Sequence, residues 1–559
     1  RGMSESAAAT EAQSFQFDCQ FMGLACKLHL PAAGLTSSNS LQQRLIWQFA
    51  NSPKTAESVP LSLVLNALTP NDDLVSNTLE LIVAKRLPGD SALWSLSRLR
   101  FTNMPDALEC SRILLDRLKI YRRLKSLLLF INPTSGGGGS DALAKSLVLP
   151  WLTACGIRVV TIRTERRYHA RDFLLRECLA KFDCVACVGG DGILLELVHG
   201  LLLRRRLDLG IDGHSKLDAE HPADMPIGVI PSGSTDAIVH SVNNNTDATT
   251  ALVHILLGNR VAMDVTSVYD LHTGEFIAYN LGLLSYGYFG DICKGSESMR
   301  WLGPMRYDLM GALTLMRLPR HLLEVTLIET EPVRQPLTCH RRCQLCANPP
   351  SADIARQAVR DLGPAVSGHQ VDPIRRQPVA SLPSNGNAYA WRQSRRRYAS
   401  VSSFTMPCRS AKSPHGAVPF AHLADGLTDL VTVPGRDRLH FLHYLTRLTC
   451  RPAWMPKLID EQQGGWEGVE TQFQLDSVAV RRVSAFSVRI LHRQQDGQPL
   501  SAWNSDGELL RAADIVCRVN PRLLTVFGSH IDEPVGQGTG SSPSKLGCCG
   551  DPLLSCVDI

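Results

Sequence analysis

The chain has 559 residues, of which 44% are hydrophobic and 20% charged, with a formal net charge of +5. These values are typical of a globular protein of two to four domains, exclude wholesale disorder, and do not indicate a nucleic-acid partner. No apolar run reaches the roughly 18 residues of a transmembrane helix, and no signal segment is recognisable at the N-terminus. The 17 cysteines are scattered, and Cys184 and Cys187 lie in an apolar run, which favours reduced thiols. We expect a cytoplasmic protein whose mild positive charge suits peripheral contact with membranes.

The N-terminal part of the chain predicts a small β domain. Residues 1–15 are rich in Ser, Ala and Glu and are predicted to be disordered. Residues 16–120 alternate short apolar stretches with polar turns, and end in a strand-like run at 94–101 followed by helical spacing over 105–118. We therefore predict several short strands closed by one terminal helix.

The next segment, residues 124–262, alternates strand and helix patterns. The predicted strands are 127–131, 159–161, 184–188 and 227–230, and the predicted helices are 142–154, 169–182, 193–205 and 235–257. This alternation predicts a parallel sheet covered by helices.

The remainder, residues 263–530, predicts an antiparallel β assembly. Strand patterns begin at 262–269 and recur at 323–328, 427–433, 478–483, 485–490 and 518–527. A stretch at about 331–400, rich in Pro and Arg, is interpreted as an insertion. Residues 531–559 are interpreted as a tail.

Three glycine-bearing turns follow strands of the predicted parallel sheet. The first begins at Asn132-Pro133-Thr134 and continues into four glycines; the second is Gly189-Gly190-Asp191-Gly192; the third, Pro231–Asp236, contains Gly233-Ser234-Thr235. Exposed backbone N–H groups before a helix suit phosphate, and ligands gather at this edge of parallel sheets. Taken singly, these turns also fit a flexible linker, an Asp-Gly turn and a helix cap formed by Ser234 or Thr235. Their conjunction on one sheet edge favours a nucleotide cleft.

Asp191 is the candidate catalytic group of the second turn. A carboxylate at this place can accept the proton of an attacking hydroxyl or organise Mg²⁺. The first turn lacks the Lys-Ser/Thr pair of a Walker A loop, so the cleft is not a P-loop.

Together with Glu196 and the run Thr-Glu-Arg-Arg-Tyr-His at 164–169, these motifs resemble the catalytic domain of diacylglycerol and sphingosine kinases, over roughly residues 124–527. Within that superfamily the chain is similar to the ceramide kinase family. The similarity is carried by Ser-Gly-Ser-Thr-Asp at 232–236, Tyr-Gly-Tyr-Phe-Gly-Asp at 286–291, Arg-Trp-Leu-Gly at 300–303, Trp-Asn-Ser-Asp-Gly-Glu at 503–508, and Cys339, Cys343 and Cys346.

The resemblance implies a fold and a reaction. The fold is a Rossmann-like parallel α/β nucleotide-binding lobe followed by an antiparallel β-sandwich lipid-binding lobe, preceded by a pleckstrin-homology-like β domain. The reaction is transfer of the ATP γ-phosphate to the primary hydroxyl of ceramide with Mg²⁺, and Asp191 would be the general base. Gly189, Gly190, Asp191, Gly192 and Asp291 would contact the lipid. The implied ATP-binding residues are Asn132, Pro133, Thr134, Thr164, Glu165, Arg166, Arg167, Tyr168, Glu196, Gly233, Ser234, Thr235, Arg300, Arg306, Asp506, Gly507 and Glu508.

The lipid preference has one further signal. Cys293 occupies the position at which sphingosine kinases carry a carboxylate that meets the amine of their substrate. A neutral residue suits an amide-bearing lipid better, because an unpaired buried carboxylate is unfavourable.

Several alternatives stay open on the sequence. Cys339, Cys343 and Cys346 fit a reduced thiol cluster better than a zinc site, since a fourth ligand is lacking. The basic amphipathic segment 436–451 is a candidate for calcium-dependent calmodulin binding or a membrane surface, but also for a helix packed on the β domain. The membrane visited would be the Golgi or the plasma membrane. Rival functions are sphingosine or diacylglycerol kinase, NAD kinase, and a catalytically silent lipid-binding scaffold.

Overall fold

The structure is a computed structural model. It describes residues 14–30, 43–50, 52, 56–69, 77–88, 90–211, 220–303, 305–329, 390–410, 413, 416–419, 421–448, 475, 478–492 and 501–529. The cysteine cluster at 339–346 and most of the predicted insertion lie outside these residues. Over the described part of the chain, no helix is both long enough and apolar enough to span a membrane.

The described part of the chain contains 21 strands and ten α-helices. The strands are β1 Phe15–Phe21, β2 Leu24–Leu30, β3 Arg44–Phe49, β4 Ala56–Pro60, β5 Val64–Leu68, β6 Leu79–Leu87, β7 Asp90–Thr102, β8 Ser126–Ile131, β9 Arg158–Arg163, β10 Cys184–Gly189, β11 Ile227–Pro231, β12 Arg260–Asp270, β13 Phe276–Asn280, β14 Leu283–Gly287, β15 His321–Glu329, β16 Ala390–Phe404, β17 Thr428–Pro434, β18 Ala479–Ile490, β19 Trp503–Ser505, β20 Glu508–Leu510 and β21 Ile515–Phe527. The α-helices are α1 Ala107–Leu118, α2 Ser140–Leu143, α3 Leu149–Ala154, α4 His169–Arg176, α5 Asp191–Asp208, α6 Ala237–Asn243, α7 Ala248–Leu257, α8 Tyr288–Ser296, α9 Met305–Arg317 and α10 Arg438–Leu448.

The N-terminal strands form a seven-stranded antiparallel sheet in the order β4-β3-β2-β1-β7-β6-β5. Helix α1 packs on it through a face that includes Cys110 and Leu114, which meet Phe101 of β7 in one buried cluster. The spacing of four between these helical residues places them on one side of the helix. This cluster is the separate core of the N-terminal domain.

The parallel part of the second sheet has the order β11-β10-β8-β9. Because side chains alternate across a strand, Leu128 and Phe130 of β8 face one core cluster, and Leu127 and Leu129 face another. Both faces of β8 and β10 are therefore buried, as expected for parallel strands covered by helices.

One predicted helix is broken in two. The pattern over 235–257 predicts a single helix, but α6 ends at Asn243, and Asn244 adopts a left-handed conformation (φ 61°). Asp247 then caps α7, since its side chain accepts a hydrogen bond from the backbone N–H of Thr250 at 2.6 Å. The Asn-rich connection, typical of a helix stop and restart, outweighs the helical periodicity.

The C-terminal antiparallel strands continue the parallel sheet instead of forming a detached unit. Strand β21 pairs in parallel with β11 and antiparallel with β12 and β18. Strands β16 and β18 each pair with β15 along one half and with β17 along the other. The two lobes are thus joined by backbone hydrogen bonds of shared strands.

The N-terminal domain also shares a core with the parallel lobe. Trp94 of β7 is 8% exposed and lies in the same buried cluster as Leu129 and Leu252. Its backbone N–H donates to the hydroxyl of Thr250 at 3.0 Å, and its ring lies edge-on to His254 at 6.2 Å.

We expect Trp94→Ala to lower the free energy of unfolding by about 3–5 kcal/mol, because it removes a large buried side chain between the two domains. Chemical denaturation of the full chain measures this change. Leu87→Ala on the neighbouring strand, where the side chain is 40% exposed, is the control and should change stability little. Equal effects of the two substitutions would contradict a packed interface.

Candidate active site

The three glycine-bearing turns meet at one edge of the sheet. Each follows the carboxyl end of a parallel strand, and the register aligns those ends. Ile131 of β8 pairs with Val188 of β10, and Gly189 of β10 pairs with Pro231 of β11. The three turns therefore share one sheet edge, as expected from the sequence.

The first turn packs against the third. Gly136 has a left-handed conformation (φ 56°), and a Cβ placed on it would lie 2.1 Å from the carbonyl oxygen of Ser232. Only glycine fits this approach. The hydroxyl of Ser135 donates to the same carbonyl at 3.2 Å, and the hydroxyls of Ser140 and Ser232 lie 2.8 Å apart.

The second turn also packs closely against the third. A Cβ built on Gly233 would lie 2.6 Å from the Cα of Gly190, and one built on Gly190 would lie 3.0 Å from the Cα of Gly233. The two backbones are in direct contact. This contact brings the first residue of α5, Asp191, against the start of α6.

Asp191 bonds the N-terminal N–H groups of α6. Its Oδ2 accepts from the backbone N–H of Ala237 at 2.9 Å, and its Oδ1 accepts from that of Ile238 at 3.2 Å. Burial raises the pKa of the Asp191 carboxyl, while these two N–H donors oppose the rise by favouring the ionised form. The result is a carboxylate with increased proton affinity at the point where the turns meet.

This arrangement corrects the expected role of Ser234 and Thr235. Helix α6 begins at Ala237, and its first N–H groups are accepted by Asp191 instead of a local hydroxyl. The side chains of Ser234 and Thr235 are exposed. They therefore have no capping role and are accessible to solvent.

Asp236 is a second buried carboxylate of this corner, and the sequence patterns did not single it out as a site residue. It is 7% exposed, has a left-handed backbone (φ 48°), and accepts from the N–H of Gly233 at 3.0 Å. Burial and the charge of Asp191 raise the pKa of Asp236 to about 7. The sequence signal that could have identified Asp236 is an acidic residue at the end of a glycine turn and directly before a helix.

Glu196, on α5, holds the segment 164–169 in place. Its two oxygens accept from the backbone N–H groups of Tyr168 at 2.7 Å and Ala170 at 3.1 Å. Tyr168 has a left-handed conformation (φ 62°), which turns the chain into α4. Glu196 therefore orients this segment through its backbone.

Other side chains of this segment are held by local contacts. Thr164 donates through its hydroxyl to the carbonyl of Ile131 at 3.3 Å, and Arg166 pairs with Asp172 at 2.8 Å. The backbone N–H of Glu165 donates to a ring nitrogen of His169 at 3.1 Å.

In the first turn, the side chain of Asn132 accepts from the N–H and hydroxyl of Thr134, at 3.2 and 2.9 Å.

The C-terminal segment folds back onto this edge. Glu508 lies 2.7 Å from the guanidinium of Arg167 and accepts from the hydroxyl of Tyr168 at 3.3 Å. Asp506 clamps the turn before β14, since its carboxylate accepts from the N–H groups of Leu281, Gly282 and Leu283 at 2.7 to 2.9 Å. Burial chiefly raises the pKa of Asp506 to about 6, and the charge of Asp191 adds to the rise.

Three expected residues lie on α8, on α9 or in the turn between them. The guanidinium of Arg306 donates to the hydroxyl of Tyr307 at 2.7 Å. Asp291 lies in the first turn of α8, and its Oδ2 lies 3.7 Å from Nε2 of His321. The backbone of Arg300 belongs to a tight helical turn, and its side chain lies outside the described residues.

No group of three or more His, Cys, Asp and Glu side chains that could hold a metal ion occurs among the described residues. Asp191, Asp236 and Glu196 each accept hydrogen bonds from backbone N–H groups.

Residues 126–268, which contain all three turns, match the family model of the diacylglycerol kinase catalytic domain. Residues 370–538 match the model of the ceramide kinase C-terminal domain. The chain is an ATP-dependent lipid kinase.

The relatives are more specific. Ceramide kinase of Homo sapiens is 30% identical over 439 residues, which cover 74% of this chain and 75% of the relative. Ceramide kinase 1 of Caenorhabditis elegans is 29% identical over 427 residues, which cover 73% and 67%. The chain belongs to the ceramide kinase family. A solved diacylglycerol kinase from Bacillus anthracis str. Sterne is 12% identical, with a TM-score of 0.40, covering 73% of this chain and 97% of that one.

The raised pKa of Asp236 generates a pH-dependent prediction. In the unfolded chain an Asp titrates near 3.9, whereas in the folded chain Asp236 titrates at about 7. The folded state therefore holds this proton between about pH 4 and 7, and the stability that the proton provides is lost as the pH rises through this window.

Asp236→Asn removes this titration. We expect the wild type to lose stability relative to the variant as the pH rises from 5 to 7. The difference between their free energies of unfolding should shift in favour of the variant by about 1 kcal/mol per pH unit. Denaturation at several pH values measures the difference. Asp208→Asn, at the exposed far end of α5, is the control. Parallel stability curves for Asp236→Asn and the wild type would refute the assignment.

Proposed function

We propose that this chain transfers the γ-phosphoryl group of ATP to the primary hydroxyl of ceramide, giving ceramide 1-phosphate and ADP. Its membership of the ceramide kinase family supports the substrate. The observation that carries the proposal is the Asp191 carboxylate, held between the starts of α5 and α6 where three glycine turns meet.

Asp191 acts as the general base. As the hydroxyl oxygen of the lipid attacks the γ-phosphorus, its proton passes to the Asp191 carboxylate, and the bond between the γ-phosphorus and the bridging oxygen of ADP breaks. Burial favours this transfer because it raises the pKa of the carboxyl. The N–H groups of Ala237 and Ile238 keep one fixed orientation of the acceptor.

The residues present fit a nucleotide. The first turn presents consecutive glycines in left-handed conformations, Gly136, Gly137 and Gly138, so its backbone N–H groups are open to a polyanion. The exposed hydroxyls of Ser234 and Thr235 are available to donate to phosphate. Bound Mg²⁺ would neutralise the phosphate charge that develops during transfer.

Two of the expected ATP-binding residues are proposed to act by positioning other segments of the chain. Glu196 positions the segment 164–169, and Asp506 positions the turn 281–283. The direct contacts to ATP are proposed for the remaining residues of the set, including Asn132, Arg167 and the loop residues Gly507 and Glu508.

The acceptor side is proposed to be Gly189–Gly192 with Asp291. Cys293 is 5% exposed, and its thiol donates to the carbonyl of Gly507 at 3.3 Å. A lipid amine would need a negatively charged partner in this place, which a buried neutral thiol does not provide. The position therefore supports an amide-bearing lipid over sphingosine.

The finer domain assignment is part of the proposal. Residues 16–120 are assigned to a pleckstrin-homology-like domain, residues 124–262 to a Rossmann-like ATP lobe, and residues 263–530 to a β-sandwich lipid lobe. The seven-stranded antiparallel sheet closed by α1 supports the first assignment. The change of partners along β16 and β18 supports the last.

A membrane surface is proposed as the place where the lipid is collected. Met305, Leu309 and Met316 are 66%, 45% and 58% exposed, and their spacing places them on one side of α9. Trp301, just before this helix, is 81% exposed. Such an apolar stripe is unfavourable in water and suits insertion between lipid head groups.

Calcium dependence through calmodulin stays a prediction. The candidate segment contains α10, whose Phe441, Tyr444 and Leu445 are buried in the C-terminal lobe. Leu439 and Leu442 are exposed. Capture of α10 by calmodulin would therefore require its release from the core.

We expect Asp191→Asn to lower kcat for ceramide by about 10²- to 10⁴-fold, the usual contribution of a general base. The asparagine oxygen still accepts a hydrogen bond from α6, so folding should be retained. A labelled-ATP assay in mixed micelles, offering ceramide, sphingosine and diacylglycerol separately, measures the loss. Asp208→Asn, at the other end of the same helix, is the control.

Three results would count against parts of this proposal. Wild-type rates in Asp191→Asn would remove Asp191 as the base. Label in sphingosine or diacylglycerol alone would keep the kinase and discard ceramide. Binding of Mg-ATP without label in any lipid would favour the silent scaffold.

We expect Met305→Glu combined with Leu309→Glu to lower binding to phosphatidylcholine vesicles containing phosphatidylserine by at least about tenfold, because two apolar side chains are lost from the contact. Co-sedimentation measures binding. Turnover of a soluble short-chain ceramide should persist. Leu207→Glu, at a 53% exposed position of α5, is the control. Unchanged sedimentation of the double variant would exclude α9 as the contact.

A further inference from the structure

Exposed arginines come together where α9 ends and α10 begins. Arg317 lies in the last turn of α9, and Arg320 follows that helix. Arg436 precedes α10, and Arg438 is its first residue. Strand β16 contributes Arg397. These five exposed residues are called the arginine patch below.

Contacts of Gly435 join the three segments that carry the patch. A Cβ built on Gly435 would lie 2.8 Å from Cγ of Arg320, so the Arg320 side chain lies directly over this glycine. The backbone N–H of Gly435 donates to the carbonyl of Arg397 at 2.9 Å. Arg436 is the next residue along the chain. The packing of the fold therefore brings the arginines together from distant parts of the sequence.

Arg397 lies on the side of the sheet on which α10 packs. Its neighbour Tyr398 belongs to one buried cluster, whereas Ala399 belongs to another, together with Phe441 and Leu445 of α10. Because successive side chains of a strand point to opposite faces, Arg397 shares the face of Ala399. Ala399 is 1% exposed, but Arg397 is exposed. Arg397 therefore lies at the border of the area that the helices cover.

The guanidinium groups of the patch have no ion-pair partner within the part of the chain that the structure describes. The carboxylate of Asp437, which lies between two of the arginines, accepts from the backbone N–H of His440 at 2.9 Å, and the ring Nδ1 of His440 lies 2.9 Å from its second oxygen. Glu324, on the strand next to β16, pairs with Arg489 at 3.5 Å. The neighbouring acidic groups are thus engaged elsewhere. A cluster of unpaired positive charges attracts a negatively charged ligand.

Exposed apolar side chains border the patch on both helices. Met316, next to Arg317 and part of the apolar stripe of α9, is 58% exposed. Leu439, next to Arg438, is 77% exposed, and Leu442, about one turn further along α10, is 42% exposed. Arginines beside exposed apolar side chains suit the boundary of a bilayer, where charged head groups meet acyl chains.

We propose that the arginine patch binds the anionic head groups of the bilayer from which the lipid substrate is taken, while exposed apolar side chains of α9 and α10 insert between those head groups. Guanidinium groups form paired hydrogen bonds with phosphate and carboxylate oxygens, which suits them to phospholipid head groups. This inference rests on the proposed function. It adds α10 as a second contact element and a preference for negatively charged membranes.

An acidic protein such as calmodulin is the competing occupant of this basic surface. A protein that encloses α10 in a groove would need the side chains of Phe441 and Tyr444, which are 2% and 0% exposed. A bilayer needs only the side chains that are already exposed. The geometry therefore favours the bilayer.

The first test measures co-sedimentation of the full chain with vesicles of phosphatidylcholine alone and of phosphatidylcholine with phosphatidylserine. We expect Arg436→Gln combined with Arg438→Gln to weaken binding to the phosphatidylserine vesicles by roughly tenfold to thirtyfold, or about fivefold for each arginine, and to change binding to phosphatidylcholine little. Arg112→Gln combined with Arg176→Gln, at exposed positions of α1 and α4, is the control with the same loss of charge. Equal losses in the two double variants, or a wild type without preference for phosphatidylserine, would overturn the proposal.

The second test separates the membrane contact from catalysis. Arg436 and Arg438 lie outside the proposed ATP-binding and lipid-binding residues, so their double variant should keep the wild-type thermal midpoint and the wild-type rate on a soluble short-chain ceramide. Its turnover of long-chain ceramide in phosphatidylserine vesicles should fall. Loss of turnover with both forms of ceramide would contradict a role confined to the membrane. Should the wild type phosphorylate neither form, the proposed function fails, and sedimentation alone decides the contact.

The third test uses calcium-loaded calmodulin as the competing occupant. Loss of calmodulin binding in the Arg436 and Arg438 double variant, together with a wild-type preference for phosphatidylserine vesicles, would assign the patch to an acidic protein and overturn the proposal. Loss of the phosphatidylserine preference, with calmodulin binding absent or unchanged, would support the bilayer as the partner.

Discussion

The direct contact of the backbones at Gly190 and Gly233 is the constraint on which the active edge depends. A side chain on either residue would separate the turns that follow β10 and β11. Asp191, one residue beyond this contact, would then not reach the first N–H groups of α6. The position of the proposed base therefore follows from the absence of two Cβ atoms.

The second requirement is that the chain returns to this edge after the antiparallel strands of the C-terminal lobe. Strand β21 pairs with β11 of the parallel lobe and with β18 of the antiparallel lobe, so a single sheet runs through both. Because backbone hydrogen bonds set the relation between the lobes, Glu508 reaches Arg167 without a flexible linker. The sheet topology positions the segments that form the site, and their side chains make the contacts within it.

Negative charge accumulates where the lobes meet. Asp191, Asp236 and Asp506 all have raised pKa values, chiefly because of burial, and the charge of Asp191 contributes to the shifts of the other two. Such an arrangement disfavours the folded state at neutral pH. Perturbed groups of this kind are common at functional sites, where a bound cation relieves the repulsion.

The sequence alone determined the order of elements, the three turns and the candidate base. Alternating apolar residues specify strands through side-chain periodicity, and glycines after strands specify turns through local sterics. Both can therefore be predicted without knowledge of tertiary contacts. The break between α6 and α7 was also present locally, in the Asn-rich stretch, but periodicity obscured it.

Only the tertiary structure decided which polar groups meet. Asp191 in place of Ser234 or Thr235 bonds the start of α6, Glu196 orients a loop, and His321 faces Asp291 across 30 residues. These outcomes depend on distances between elements far apart in the chain. Such distances follow from packing and strand register, which no local pattern contains.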